Sequence, residues 1–122
     1  MNKSILLIDD DRDIREVMTV ALEGEGYLVH TAESGSAGLS WLREHQNEPP
    51  GLIILDLMMP GMDGRAFLSE LQRAKMPQVS DVPIYLSSAT SNLSTVGLPI
   101  TGVLTKPMEL QSLFDLANKY CG

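Results

Sequence analysis

Five short runs of β-branched and leucine-rich residues, at positions 5–8 (ILLI), 27–31 (YLVHT), 52–55 (LIIL), 84–86 (IYL) and 103–105 (VLT), alternate along the chain with segments of helical period. Strand and helix periods taking turns in this way are the pattern of βα units feeding a parallel sheet, and they restrict the fold to the α/β class with five strands and up to five helices. A chain of 122 residues buries about two-thirds of its unfolded surface as one unit. One domain spanning residues 1–122 is therefore expected.

The helices announce their starts. Asp11 is placed as the N-cap of the first, which should bury Ile14, Val17, Met18, Ala21 and Leu22 and stop at Gly24 or Gly26. The second begins after Ser34 and turns Gly38, Leu39 and Leu42 inward; the third follows Asp63-Gly64 and presents Phe67, Leu68 and Leu71. The last follows Pro107, with Leu110, Leu113, Phe114 and Ala117 on one face. NEPPG, residues 47–51, is a turn before the third strand. One stretch breaks the alternation. SATSNLSTVGLPITG, residues 88–102, places short hydroxyl side chains, Gly97 and Pro99 where a helix should continue, so the fourth helix is expected to be short or irregular.

In an open α/β sheet, ligands bind beyond the carboxyl ends of the strands, so the residue after each strand carries the chemistry. Those positions hold Asp9 and Asp10 after the first strand, Asp56 after the third, Ser87 and Ser88 after the fourth, and Lys106 after the fifth. Two carboxylates about 4 Å apart repel by roughly 4 kcal/mol at an effective dielectric near 20. The run Asp9-Asp10-Asp11 is kept only if solvent, capping or a cation offsets that repulsion. Capping accounts for Asp11. For the others, two or three carboxylates around one hard cation are the donor set that suits Mg²⁺, which keeps several waters and bridges to phosphate. A hydroxyl and an ammonium opposite would hold the remaining phosphoryl oxygens.

Taken one at a time these residues have plainer readings: solvated turn acids, a loop serine, a surface lysine. Their arrival together at successive strand ends is what makes the signal specific, and a carboxylate closing the apolar strand LIIL is costly unless its charge is paired or bound. Other chemistry is disfavoured. A net charge of −7 argues against direct nucleic-acid binding, which depends on lysine and arginine neutralising phosphates. No stretch approaches the roughly 18 apolar residues of a membrane span, so a cytoplasmic, membrane-free protein is expected. Cys121, the single cysteine, reads as a small apolar residue, His30 and His45 as too isolated for a zinc or catalytic site, and Met58, Met59 and Met62 as loop packing.

With these motifs in place the chain resembles, over nearly its whole length, a receiver domain of a two-component response regulator, similar to the chemotaxis regulators. The resemblance implies a flavodoxin-like (βα)5 fold with sheet order 2-1-3-4-5. It implies that Asp10 ligates Mg²⁺ directly, Asp9 through water, Asp56 both as ligand and as phosphoacceptor, and Met58 through its backbone carbonyl, with Ser88 and Lys106 on the phosphoryl oxygens. It also implies a cis Lys106-Pro107 bond, a sensor histidine kinase or histidine phosphotransfer protein as donor, and a downstream protein target or output domain as recipient. With nothing after Gly122, the expectation is a stand-alone regulator or a domain cut from a larger protein. Asp9-Asp10-Asp11 also fits the Asp-x-Asp of haloacid-dehalogenase-like phosphatases, but their flap is missing: the chain passes straight into DIREVMTVAL. A third possibility is a receiver-like interaction module that is never phosphorylated.

Two departures from the family stand out. Val103 occupies the position, three before Lys106, where many receivers carry an aromatic residue, and the segment between Ser88 and Lys106 is about one helical turn shorter than expected. Residues 90–99 are accordingly expected to be loosely ordered until phosphorylation of Asp56 draws in Ser88.

Overall fold

The computed structural model describes residues 3–89 and 97–122. Its elements are β1 (Ser4–Ile8), α1 (Arg12–Gly24), β2 (Leu28–Ala32), α2 (Gly35–Glu44), β3 (Leu52–Asp56), α3 (Gly64–Ala74), α4 (Pro77–Ser80), β4 (Ile84–Ser88), β5 (Gly102–Thr105) and α5 (Leu110–Cys121). The strands form one parallel sheet in the order β2-β1-β3-β4-β5. That order reverses direction between β1 and β3, which places a crevice at their carboxyl ends.

Side chains alternate across the sheet and build two apolar layers. Leu6, Ile8, Ile53 and Leu55 face one way, against Leu39 and Leu42 of α2 and Phe67 and Leu68 of α3. Ile5, Leu7 and Ile54 face the other, against Met18 and Leu22 of α1 and Leu113, Leu116 and Ala117 of α5. All five positions of β3 are buried, as a strand covered on both faces requires. On the α2 side the packing depends on Gly38, where a Cβ would stand 2.6 Å from Ile8 Cδ1.

The expected caps are present. Asp11 accepts from the N–H groups of Asp13 and Ile14, Ser34 from Ala37, and Asp63 from Ala66. The helix faces are partly as read. Val17 is 59% and Leu110 48% exposed, whereas Leu116 and Cys121 are buried. On α5 the expected face holds at Leu113 and Ala117, which are buried, and at Phe114, which packs against the core; Leu110, at the first position of the helix, stays exposed, and Leu116 and Cys121 widen the buried stripe. A short α4 lies before β4, begun by Pro77 at its first turn. The irregular helix expected between β4 and β5 falls largely on residues 90–96, outside the described residues, as does most of the segment expected to order on phosphorylation. No helix among the described residues is long and apolar enough to cross a membrane.

Candidate functional site

Asp9 follows directly on β1 and is held on four sides. Its N–H donates to the Ala32 carbonyl (3.1 Å), which continues the ladder to β2. One carboxylate oxygen accepts from the Asp11 N–H (2.9 Å), the local turn that aspartate favours. The other accepts from Lys106 Nζ (3.4 Å). Its carbonyl accepts from Arg15 Nη1 (2.8 Å), so the first turns of α1 return to clamp the end of β1. Asp9 is thereby 2% exposed, while its neighbour Asp10 points to solvent.

Asp56 closes β3 and is 4% exposed. Its Oδ1 accepts from Lys106 Nζ at 3.1 Å and, at 3.4 Å, from the Met58 N–H. The chain then turns into α3 at Gly64, whose N–H donates to the Leu57 carbonyl (2.8 Å) and whose missing Cβ would lie 3.1 Å from the Asp56 carbonyl oxygen. Lys106 comes from the far side of the sheet. Its N–H donates to the Ser88 carbonyl (2.8 Å), the peptide bond to Pro107 is cis, and its side chain crosses β4 to reach β3 and β1.

The electrostatics follow from this crowding. Burial, and then the charge of Asp9, push the Asp56 carboxyl above its usual range; the hydrogen bond and charge of Lys106 and the Met58 N–H pull the other way without cancelling them. For Lys106 burial acts to lower the ammonium's pKa, but its hydrogen bond to Asp56 and the charges of Asp9 and Asp56 outweigh burial and raise it. Two buried acids thus share one cation, a site short of positive charge. Asp9, Asp10 and Asp56 bring carboxylate oxygens within 4.8 Å of one another, a set of hard donors that can hold a metal ion.

Of the residues picked from the sequence, Asp9, Asp10, Asp56, Met58 and Lys106 line a single cleft of about 330 Å³. Ser88 ends β4, 1% exposed and in register with Thr105, beside the cleft rather than in its lining. Two neighbours of these residues were not singled out. Arg15 carried no signal beyond being a cation on the first helix. Ser87 was noted only as a strand-end hydroxyl, and its burial beside Asp56 depends on the pairing of β3 with β4.

The family model of the response regulator receiver domain matches residues 5–118. The chain belongs to that family. Among its relatives, the transcriptional regulatory protein AfsQ1 of Streptomyces coelicolor is 39% identical over 89 residues, which cover 73% of this chain and 36% of that protein. The alkaline phosphatase synthesis transcriptional regulatory protein SphR of Synechococcus elongatus is 34% identical over 119 residues, 89% of this chain and 45% of that one. This receiver therefore spans less than half the length of those relatives. Among solved structures, the chemotaxis response regulator CheY4 of Vibrio cholerae superposes with a TM-score of 0.82 at 26% identity, over 98% of this chain and 99% of that one. A receiver domain protein of Methanospirillum hungatei reaches 0.85 at 23% identity over 98% and 94%, a likeness of fold.

Proposed function

We propose that this receiver accepts a phosphoryl group on Asp56 from the phosphohistidine of a sensor histidine kinase or a histidine phosphotransfer protein, and that the acyl phosphate shifts its conformation toward a downstream target or output domain. The observation that carries the reading is the lysine bridge: Lys106 Nζ lies 3.1 Å from Asp56 and 3.4 Å from Asp9, both buried, at the crevice edge of the sheet. A purely structural pair would gain little there, since burying two carboxylates against one ammonium is a poor source of stability.

In this mechanism Asp56 reacts as the carboxylate. Its oxygen forms a bond to phosphorus while the phosphorus–nitrogen bond to the donor imidazole breaks, and the electron pair leaves with the imidazole. Lys106 turns toward the phosphoryl oxygens, Ser88 supplies a hydroxyl to them, and the anchored Asp9 turn holds its acids in place, so positioning and electrostatics carry the catalysis. Asp9, Asp10, Asp56 and the Met58 carbonyl would hold Mg²⁺, which when bound neutralises the carboxylates and the oxygens of the transferring group. Three clustered carboxylates against one lysine fit such an ion.

The relatives named above are transcriptional regulators, which supports a cytoplasmic target or output module acting on transcription rather than direct DNA contact by this acidic domain. Incubation with acetyl phosphate and Mg²⁺, followed by intact-mass measurement, tests the reading. Wild type gains one phosphoryl group and Asp56→Asn gains none; an unlabelled wild type would leave an interaction module in place of a phosphoacceptor.

A further inference from the structure

Ser87 Oγ is, among the described residues, the buried side-chain oxygen that has no hydrogen-bond partner. Ser87 is 2% exposed. A buried hydroxyl without a partner is costly and uncommon in native proteins, and a plain apolar residue would pack in its place without that cost.

Its position suggests why it is kept. The register of β3 and β4 pairs Ser87 directly with Asp56. Alternation along the strands puts both on the face of Ile54 and Tyr85, the layer packed by α1 and α5. Lys106, two residues beyond Leu104 on β5, belongs to the same face, and Leu104 pairs with Ser87. To reach Asp56, the Lys106 side chain crosses β4 just beyond this serine. Parallel strands lie about 4.8 Å apart, so a rotation about χ1 brings a serine hydroxyl within hydrogen-bond reach of a carboxylate on the neighbouring strand. In the structure as it stands that carboxylate oxygen is already engaged, by Lys106 at 3.1 Å and the Met58 N–H at 3.4 Å.

We propose that Ser87 is a positioning residue of the acceptor site, a second donor that takes over hydrogen bonding to the Asp56 carboxyl when Lys106 turns to the incoming phosphoryl group. The inference rests on the reading of Asp56 as acceptor. Lysine serves two masters in that reaction: it holds the resting carboxylate, then leaves it for the phosphoryl oxygens. Without a replacement, the Asp56 oxygen loses a charge-assisted bond as the new one forms. Ser87 supplies the replacement, and the resting state bears an unmet hydroxyl as the consequence. With acetyl phosphate as donor, an Asp56 oxygen bonds to phosphorus and acetate departs with the electron pair of its own phosphorus–oxygen bond. Ser87 keeps its proton throughout.

Ser87→Ala and Ser87→Thr in the full chain test this. Three quantities are measured: the metal-free thermal midpoint, the rate of labelling by acetyl phosphate with Mg²⁺, and the rate of hydrolysis once the donor is removed. Ser87→Ala is expected to melt higher than wild type yet label about tenfold more slowly, the rate equivalent of one hydrogen bond. Hydrolysis should slow less, because the acyl phosphate already holds the serine bond. Ser87→Thr, which keeps the hydroxyl, should label near the wild-type rate. A Ser87→Ala domain that labels as fast as wild type, or melts lower, overturns the proposal while leaving Asp56 as acceptor. Slow labelling shared equally by a folded Ser87→Thr assigns the effect to packing and overturns it too. A wild type that does not label at all removes the acceptor reading and this inference with it.

Discussion

The middle of the sheet and its carboxyl edge are equally dry and opposite in chemistry. Leu6, Leu7, Ile53 and Ile54 are at most 1% exposed, and Asp9, Asp56, Ser87 and Ser88 at most 4%. In the middle, burial removes apolar surface from water at roughly 25 cal/mol per Å², and each residue adds to stability. Two or three residues further along the same strands, and at the end of β4 beside them, burial strips water from carboxylates and hydroxyls whose replacement partners are few. The difference teaches that this fold spends its surplus at one edge: the apolar middle holds rigid a cluster that by itself opposes folding, which is how a reactive site is kept in place.

Substitutions on the two sides should therefore differ in sign as well as size. Leu55→Ala, one residue before Asp56, is expected to cost about 2–5 kcal/mol in denaturant unfolding through lost burial and the cavity left behind; a cost under 1 kcal/mol would mean the middle is looser than its burial implies. Lys106→Met should cost less, about 1–3 kcal/mol at neutral pH, because it strands two buried carboxylates but the lysine is itself 22% exposed. If the variant is instead as stable as wild type, the bridge is not what offsets the acids.

The pH dependence sharpens the same contrast. Burial and Asp9 raise the folded-state pKa of Asp56 above its unfolded value. Its contribution to stability is therefore full below the ordinary carboxylate pKa and is lost as pH rises through the elevated folded value. Thermal midpoints of metal-free wild type minus those of Asp56→Asn should fall with rising pH over that window, and Mg²⁺ should flatten the slope. A difference that rises with pH would place Asp56 below its ordinary range. The smallest effect belongs to Asp11, a solvent-exposed acid whose role is capping. Asp11→Ala should cost about 1 kcal/mol and leave labelling of Asp56 close to wild type.

Much of the molecule was legible without the structure because the signals are local. Strand runs such as LIIL and the caps at Asp11, Ser34 and Asp63 are set by residues within a turn of one another, and the rule of strand ends then points to Asp9, Asp10, Asp56, the pair Ser87 and Ser88, and Lys106. The limits appeared where distant segments meet. On α5 the stripe read from its period packs at Leu113, Phe114 and Ala117, but that Leu110 stays exposed while Leu116 and Cys121 are buried depends on how the helix sits against β1 and β3.

The sequence by itself determined the order of the strands, the starts of α1, α2 and α3, and the acids, hydroxyls and lysine at the strand ends, because periodicity, capping and strand-end position are properties of neighbouring residues. Tertiary structure decided that Asp9 is buried while Asp10 is exposed, that Lys106 reaches both Asp9 and Asp56, that Arg15 clamps the Asp9 carbonyl, and that Ser87, in register with Asp56, has no partner among the described residues. Apart from the Arg15 clamp, which spans six residues, those facts depend on the register of strands far apart in the chain and on which oxygens remain after closer donors are satisfied.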